Sequence, residues 1–380
     1  MLCEAGRLTL ELARAARAGG FGLKDATPHN ILFRGSEPVF IDALSFERRQ
    51  PGDPIWLPEA QFVRTFLLPL LVNRRRGLPL AEIYTTRRDG LEPEEVYRWC
   101  GPLEKFKPRV LSLVSIPTWL SRRTSPDDQK LYQPHLLADP EKAQFILETL
   151  FNRLAAALRA FEPAAQKNSV WSDYMSTHSY DDPAFAAKEQ FVKEALDEFK
   201  PARVLDAGAN TGHFSALAAR AGAEVVAVDL DEACVGAIWR RARGQKLNVL
   251  PLVVNLARPS PALGWRNAEC PSFLARATGA FDGVLMLALI HHLLVTERIP
   301  LEEILRLAHE LTRSLLVVEL VEPQDAMFRR LTRGRDSLHA TLDAKMFEQT
   351  CEPYFEIVRS LALPGTRRHM YCLKRKRGNR

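Results

Sequence analysis

The stretch from Val204 to Ala219 reads VLDAGANTGHFSALAA, and it decides the fold of the second half of the chain. An apolar run ends at Asp206, Gly208 and Gly212 flank a short turn, and apolar residues then recur at helical spacing. Glycine is favoured where the backbone takes a positive φ or lies close to a ligand, and the amino end of a helix offers unpaired N–H groups. The pattern predicts a strand–turn–helix elbow, which either holds a ligand or is structural alone.

Strands and helices alternate around this elbow. Alternation of this kind is typical of a parallel sheet covered by helices. The last two strand-like runs are close enough in sequence to form an antiparallel pair. We predict helices near 183–199, 212–221, 232–243 and 300–313, and seven strands at RVLDAG, EVVAVDL, NVLPLVVN, FDGVLMLAL, SLLVVEL, FEIVRSLA and RHMYCLKRK.

A carboxylate ends the second of these strands. Asp229 comes 23 residues after Asp206. In nucleotide-binding α/β proteins an acid at about this distance accepts hydrogen bonds from ribose hydroxyls. The loop spacing Asp-x-Gly-x-Asn-x-Gly does not fit the dinucleotide fingerprint G-x-G-x-x-G. The added acid therefore favours an elbow that binds a ligand over one that is only structural.

Residues 171–376 resemble the class I S-adenosylmethionine (SAM)-dependent methyltransferases. The loop matches their motif D/E-x-G-x-G-x-G, except that Asn210 replaces the middle glycine. The resemblance implies an α/β fold with a Rossmann-like seven-stranded methyltransferase sheet and SAM as the cofactor. It implies that Asp229 binds the SAM ribose, that Leu230 lies against the adenine and that Asn255 lies near the adenine amino group. The implied cofactor-binding residues are Asp206, Gly208, Asn210, Gly212, Asp229, Leu230 and Asn255.

Two adjacent histidines, His291 and His292, follow the apolar run FDGVLMLALI. We expect them at the carboxyl edge of the sheet, where ligands of such folds bind. Histidine can deprotonate a hydroxyl near neutral pH. In the resembled family some oxygen methyltransferases place a catalytic histidine here, whereas in others it only shapes the pocket. We do not expect a metal, because adjacent strand residues point to opposite faces and no further ligand stands at metal-binding spacing.

The segment before the first strand offers further candidates. Trp171, Tyr174 and Tyr180 precede a predicted helix that carries Lys188. The segment can cap the cofactor, with Lys188 on the methionine carboxylate. The alternative, which we favour, is an amphipathic helix with a solvated lysine.

The amino-terminal half carries a different motif. LKDATPHN at 23–30 is followed by a hairpin pattern, in which RGSEP separates NILF from VFIDA. The stretch resembles the catalytic loop of aminoglycoside phosphotransferases and related kinases, which implies Asp25 as the base and Asn30 and Asp42 as magnesium ligands. Leu23 replaces the usual histidine, and too few residues precede it for an amino lobe. We expect a non-catalytic lobe or a start inside a longer natural chain, with chance similarity as a further alternative.

Length and composition complete the prediction. The 380 residues, with a formal charge of +6, fit two domains. We place a mostly helical, kinase-C-lobe-like domain at 1–165 and the methyltransferase domain at 170–380. The six cysteines lack CxxC pairs, and no apolar run is long enough to span a membrane, so we expect a cytoplasmic protein.

We predict methyl transfer from SAM to an unidentified acceptor, with a small-molecule hydroxyl favoured. The basic charge also allows an RNA or protein methyltransferase, although no RNA-binding module is recognisable. A non-catalytic kinase-like scaffold with a vestigial SAM domain is the third alternative. The sequence does not indicate the oligomeric state.

Overall fold

The computed structural model describes residues 1–122, 136–163, 182–332, 336–339 and 341–376. The chain divides into two compact units, Met1–Ala164 and Ala165–Arg380. The predicted boundary at 165–170 lies outside the described residues, as do Trp171, Tyr174 and Tyr180. Across the described part of the chain, no helix is long and apolar enough to cross a membrane.

A mixed sheet forms the centre of the carboxyl-terminal unit. Within the described residues it has seven strands in the order β10-β11-β9-β8-β5-β6-β7, which confirms the predicted α/β sheet. Neighbours from β7 to β9 are parallel, whereas β11 is antiparallel to both β9 and β10. The strands are β5 (Arg203–Ala207), β6 (Glu224–Asp229), β7 (Val249–Val253), β8 (Phe281–Met286), β9 (Thr312–Val321), β10 (Phe355–Ala362) and β11 (Arg368–Arg375).

Helices cover both faces of this sheet. Two clusters of buried apolar residues lie on its opposite sides, because the central strands are apolar at nearly every position. The predicted helices are present, with ends shifted by a few residues. The helices are α9 (Asp182–Phe199), α10 (His213–Arg220), α11 (Glu232–Gln245), α12 (Phe273–Ala277), α13 (Ile290–Val295), α14 (Leu301–Leu311), α15 (Ala326–Thr332) and α16 (Ala344–Cys351).

The fourth predicted strand is shorter than its apolar run. Strand β8 ends at Met286, Ala288 takes a positive φ of 54°, and the chain then enters α13. The prediction that the two histidines lie at a strand end, with side chains on opposite faces, is therefore wrong. Apolar periodicity does not separate a short buried strand from a buried helical turn, so the run FDGVLMLALI gave no sign of the change.

The amino-terminal unit combines small antiparallel pairs with helices. Strand β1 (Phe21–Leu23) pairs with β4 (Phe46–Arg48), and β2 (Ile31–Arg34) forms the predicted hairpin with β3 (Glu37–Phe40). Helix α1 (Leu2–Ala18) packs against α8 (Pro140–Phe161). Between them lie α2 (Glu59–Phe62), a π-helical turn (Val63–Leu67), α3 (Leu68–Arg76), α4 (Leu80–Thr86), α5 (Pro93–Trp99), α6 (Pro108–Val110), a second π-helical turn (Leu111–Ser115) and α7 (Ile116–Ser121).

Candidate functional site

The glycine loop joins β5 to α10 in a backbone conformation that explains its sequence. Gly208, Asn210 and Gly212 have φ values of 74°, 49° and 77°. Glycine takes such values without strain, and asparagine tolerates them better than most other residues. A side chain at 212 would also place its Cβ 2.8 Å from Ile238 Cγ1. The loop therefore needs glycine at 212 on two grounds, conformation and space.

Asp229 connects this loop to the end of β6. Its carboxylate accepts hydrogen bonds from the backbone N–H of Asn210 at 2.8 Å and from that of Asp231 at 2.9 Å. Burial raises the pKa of Asp229, and the two backbone donors oppose that shift. Leu230, the next residue, is exposed. The structure thus brings a carboxylate, an apolar side chain and the loop backbone to one place at the carboxyl edge.

Asp206 is the next-to-last residue of β5 and lies deeper in the protein. Its carboxylate is 2 % exposed and accepts a hydrogen bond from the Ser215 hydroxyl at 2.5 Å. The pKa of Asp206 is raised to about 6, chiefly by burial and also by the nearby Asp229 charge, while the hydrogen bond from Ser215 partly opposes the rise. Asp206 and Asp229 are therefore electrostatically coupled acids on adjacent parallel strands.

Asn255 lies beside these acids but mainly shapes its own loop. It follows β7 by two residues, and the N–H of Val254 donates to the carbonyl of Asp229 at 2.9 Å. The Asn255 side-chain oxygen accepts from the N–H of Ala257 at 2.9 Å and from that of Arg258 at 3.3 Å. The predicted adenine contact would therefore fall to its NH2 group.

The rings of the two histidines lie against each other in α13, tilted by 40°. Their ring centroids are 4.2 Å apart, and Phe328 of α15 stacks on His291 at 6.3 Å. His291 is 1 % exposed, and neither of its ring nitrogens has a hydrogen-bond partner among the described residues. Buried polar atoms normally have a partner, so an unpaired ring here points to a group that a ligand supplies.

Both histidines are neutral at physiological pH. Burial and, to a smaller extent, the charge of Arg368 together lower the pKa of His292 to about 4. Burial likewise lowers the pKa of His291 well below its usual value, with His292, Arg368 and Lys188 adding to the shift. A neutral imidazole can accept a proton, so either ring is in the protonation state that a base requires.

A buried network of charges lies close to the histidines. Lys188 Nζ is 2.6 Å from Glu319 Oε2, and Arg368 is 3.2 Å from Glu319 Oε1. Arg368 also pairs with Asp325, at 2.8 Å and 3.3 Å. The expectation of a solvated Lys188 is wrong, because Glu319 offers a charged partner inside the core. A glutamate within the apolar strand SLLVVEL was the sequence signal for this network.

The structure describes only a small polar cluster around the kinase-like motif. Asn30 Nδ2 lies 3.4 Å from the Ser45 hydroxyl, which donates in turn to Asp42. Asp25 is exposed and accepts a hydrogen bond from Gln61 Nε2 at 3.3 Å. Across the described ranges no group of three or more His, Cys, Asp or Glu residues is arranged to hold a metal ion.

Comparison with known proteins matches the carboxyl-terminal unit to a defined family. Residues 180–362 match the model of a methyltransferase domain. The chain is 28% identical over 358 residues to the nodulation protein NoeA of Rhizobium meliloti (strain 1021), covering 94% of this chain and 74% of that relative.

Two solved structures are similar over about half of the chain. The N-methyltransferase NodS of Bradyrhizobium japonicum WM9 is 11% identical, covering 52% of this chain and 99% of NodS, with a TM-score of 0.39. The bifunctional kinase-methyltransferase WbdD is 17% identical, covering 55% of this chain and 42% of WbdD, with a TM-score of 0.38.

The matched domain and the site in the same residues lead to one conclusion. Residues 180–362 form a methyltransferase domain, and the chain is an enzyme, a class I methyltransferase that uses SAM.

Proposed function

We propose that this enzyme moves the methyl group of SAM to a small-molecule hydroxyl, with one of the two histidines as the base. The observation that carries the proposal is the neutral, unpaired ring of His291, in contact with the His292 ring in the helix that follows β8. Methyl transfer needs in-line positioning and, for a weak nucleophile, removal of a proton. His292 is the more accessible of the two residues, so we assign His292 as the base that takes the proton. We assign His291 as the residue that positions the His292 ring.

The loop and the neighbouring strand ends fit the cofactor. In this proposal the Asp229 carboxylate accepts from the ribose hydroxyls, the exposed Leu230 covers the adenine and the Asn255 NH2 group donates to the base. The positive φ of Gly208 and Gly212 lets the backbone lie close to the methionine part, beside Asp206. SAM itself supplies an electrophilic methyl group on a sulfonium centre.

The acceptor can be identified before any mechanistic test. The protein is incubated with SAM carrying a tritiated methyl group and with fractionated cell extract, and the label is followed into small molecules, RNA and protein. We expect label in a small molecule. Label in RNA or protein alone would contradict the proposed acceptor class.

Single-turnover rates then test the base. We expect His292→Ala to lower the rate by roughly 10²–10⁴-fold, the usual contribution of a positioned acid or base. His309→Ala is the control, because this histidine is on α14 and contacts the Lys376 carbonyl. If His291→Ala and His292→Ala both keep the full rate at every pH, neither histidine is the base.

The other acceptor class has its own test. An RNA methyltransferase should shift bulk tRNA in a gel, with a shift that weakens as salt is added. The comparisons give no support to a vestigial scaffold, so that alternative is dropped.

We also propose a cytoplasmic location, because all six cysteines are free thiols, as a reducing compartment requires.

For the amino-terminal unit, 1–165, we propose a kinase-lobe-like module rather than an active kinase. The supporting observation is the pairing of β1 with β4 around the β2–β3 hairpin, with Asn30 and Asp42 joined through Ser45. An amide and a carboxylate oxygen are ligands that Mg²⁺ accepts. The base position, Asp25, is exposed and contacts Gln61.

A further inference from the structure

An exposed apolar surface of the amino-terminal unit is not used by the proposed chemistry. We call it the α7 patch and define it by Leu103, Phe106, Ile116 and Leu120, which are 87%, 66%, 42% and 56% exposed. Ile116 and Leu120 are four residues apart on α7 and so lie on one face. Phe106 contacts Trp119 of the same helix, with ring centroids 6.4 Å apart. Leu103 begins the 3-10 turn that ends at Phe106, and residues three apart in such a turn lie on one side. The four side chains therefore border one surface.

Two cations lie beside this patch. Lys105 lies over the Tyr97 ring at 3.9 Å, and Arg122 lies over the same ring at 5.7 Å. Tyr97 in turn contacts Trp119, which donates its indole N–H to the Tyr97 hydroxyl at 3.2 Å. Contacts between side chains thus join Lys105 and Arg122 to Phe106, through Tyr97 and Trp119.

An open cavity of about 820 Å³ is lined in part by Lys107 and Pro108, the two residues that follow Phe106 in the chain. Every charged residue that lines it is basic. Arg75 is paired with Glu104 and Arg74 donates to the Glu162 carbonyl, whereas Lys107 and Arg109 make no ion pair within the described residues. The lining residues are Arg74, Arg75, Lys107, Pro108, Arg109, Ala160 and Phe161.

We propose that the α7 patch and this basic cavity bind an anionic lipid surface. The apolar side chains enter the boundary between headgroups and acyl chains, and the cations contact lipid phosphates. A soluble polyanion such as RNA would use the cations but would leave Leu103 and Phe106 in water. The combination of exposed apolar side chains with a basic rim therefore favours a membrane surface, contacted from one side without a span.

Vesicle sedimentation with the full chain tests the proposal. The protein is mixed with phosphatidylcholine vesicles or with vesicles that also contain phosphatidylglycerol. We expect binding to the anionic vesicles, weakened by salt, and little binding to phosphatidylcholine alone. Phe106→Glu and Leu103→Glu should each lower the partition coefficient by about tenfold or more. Lys107→Ala with Arg109→Ala should lower it by roughly 5-fold for each cation removed.

Matched controls separate the patch from general surface effects. Leu57→Glu changes a leucine of the same unit that is 75% exposed, and Arg34→Ala with Arg48→Ala removes two exposed cations elsewhere. All of these variants should keep the SAM affinity and the melting temperature of the parent protein. The controls should sediment with anionic vesicles as the parent does.

Four results would overturn the proposal. One is no sedimentation with anionic vesicles, and a second is equal sedimentation with phosphatidylcholine alone. A third is an unchanged partition coefficient for Phe106→Glu and Leu103→Glu. The fourth is release of the protein by millimolar glycerol 3-phosphate, which would mean that a free phosphate and not a lipid surface is the ligand.

Discussion

Asp206 is a buried carboxylate whose ionisation opposes folding. Its folded pKa of about 6 lies above the ordinary value of 3.8, so the folded state takes up a proton first as the pH falls. The burial cost is present in full above pH 6 and is relieved as the pH falls towards 4. At pH 7 we expect Asp206→Asn to raise the free energy of unfolding by up to about 3 kcal/mol and to weaken SAM binding.

Chemical unfolding at several pH values checks this prediction. The stability difference between Asp206→Asn and the parent should be largest at neutral pH and shrink below about pH 4. A variant that is less stable than the parent at pH 7 would mean that the Ser215 hydrogen bond outweighs the burial of the charge.

His292 has the opposite pH dependence. Its folded pKa of about 4 lies below the usual 6.5, so the unfolded chain binds the proton first and stability is lost as the pH falls from 6.5 to 4. We expect His292→Gln to remove about 2–3 kcal/mol of this acid-induced loss, measured by urea unfolding at pH 7 and pH 4. An identical pH dependence in the variant would contradict the lowered pKa.

The lowered pKa of His292 also determines how kcat/KM should depend on pH. If neutral His292 is the base, kcat/KM should stay flat from pH 6 to 8 and decline only towards about pH 4. An inflection near the ordinary histidine value would instead assign the proton to a solvated group.

At the scale of elements, the turn between β5 and α10 depends on Gly212. A methyl group there would meet Ile238 at 2.8 Å on a backbone with φ of 77°. We expect Gly212→Ala to cost roughly 1–3 kcal/mol of stability and to lower SAM affinity, by calorimetry on the folded fraction. Asn210→Gly is the matched change, because its φ of 49° suits glycine, and it should cost well under 1 kcal/mol. Equal losses in the two variants would argue against this geometry.

The positions of the seven strands along the chain were predictable from the sequence, whereas the last turn before the histidines was not. Runs such as EVVAVDL are buried on both faces and bounded by turns, so periodicity and spacing specify them. The change from strand to α13 occurs inside one apolar run, where the two structures look alike. Lys188 was misjudged for a related reason, since its partner Glu319 is 131 positions away in sequence and only the tertiary fold brings them together.

At the scale of the whole molecule, the chain divides into two units, each with its own buried apolar core. The sequence motifs of each unit were visible, but the cofactor motif reports the cofactor alone and leaves the acceptor to loops that vary freely on this fold. The pairing of Glu319 with Arg368, and of Arg368 with Asp325, was not predicted. Glu319 within an apolar strand indicates a buried charge, but the sequence does not indicate which distant residues pair with it.

Binding of Mg²⁺ by the amino-terminal unit can be tested independently of SAM binding. If Asn30 and Asp42 bind Mg²⁺, saturating MgCl₂ should raise the melting temperature, with about 2.7 kcal/mol of stabilisation at a hundredfold excess over Kd. Asp42→Asn should remove the shift, and the exposed Asp89→Asn should keep it. No shift in the parent protein would mean that this loop is structural.

The central claim is that the carboxyl edge of the seven-stranded sheet binds SAM through Asp229, and isothermal calorimetry tests it most directly. Asp282 is the matched control, because it lies near the opposite end of β8 and accepts the Arg203 N–H at 3.0 Å. We expect SAM to bind the parent and Asp282→Asn alike, and Asp229→Asn to bind about 10–100-fold more weakly, since charged hydrogen bonds to the ribose are lost. Equal SAM affinity in all three folded proteins would contradict the account.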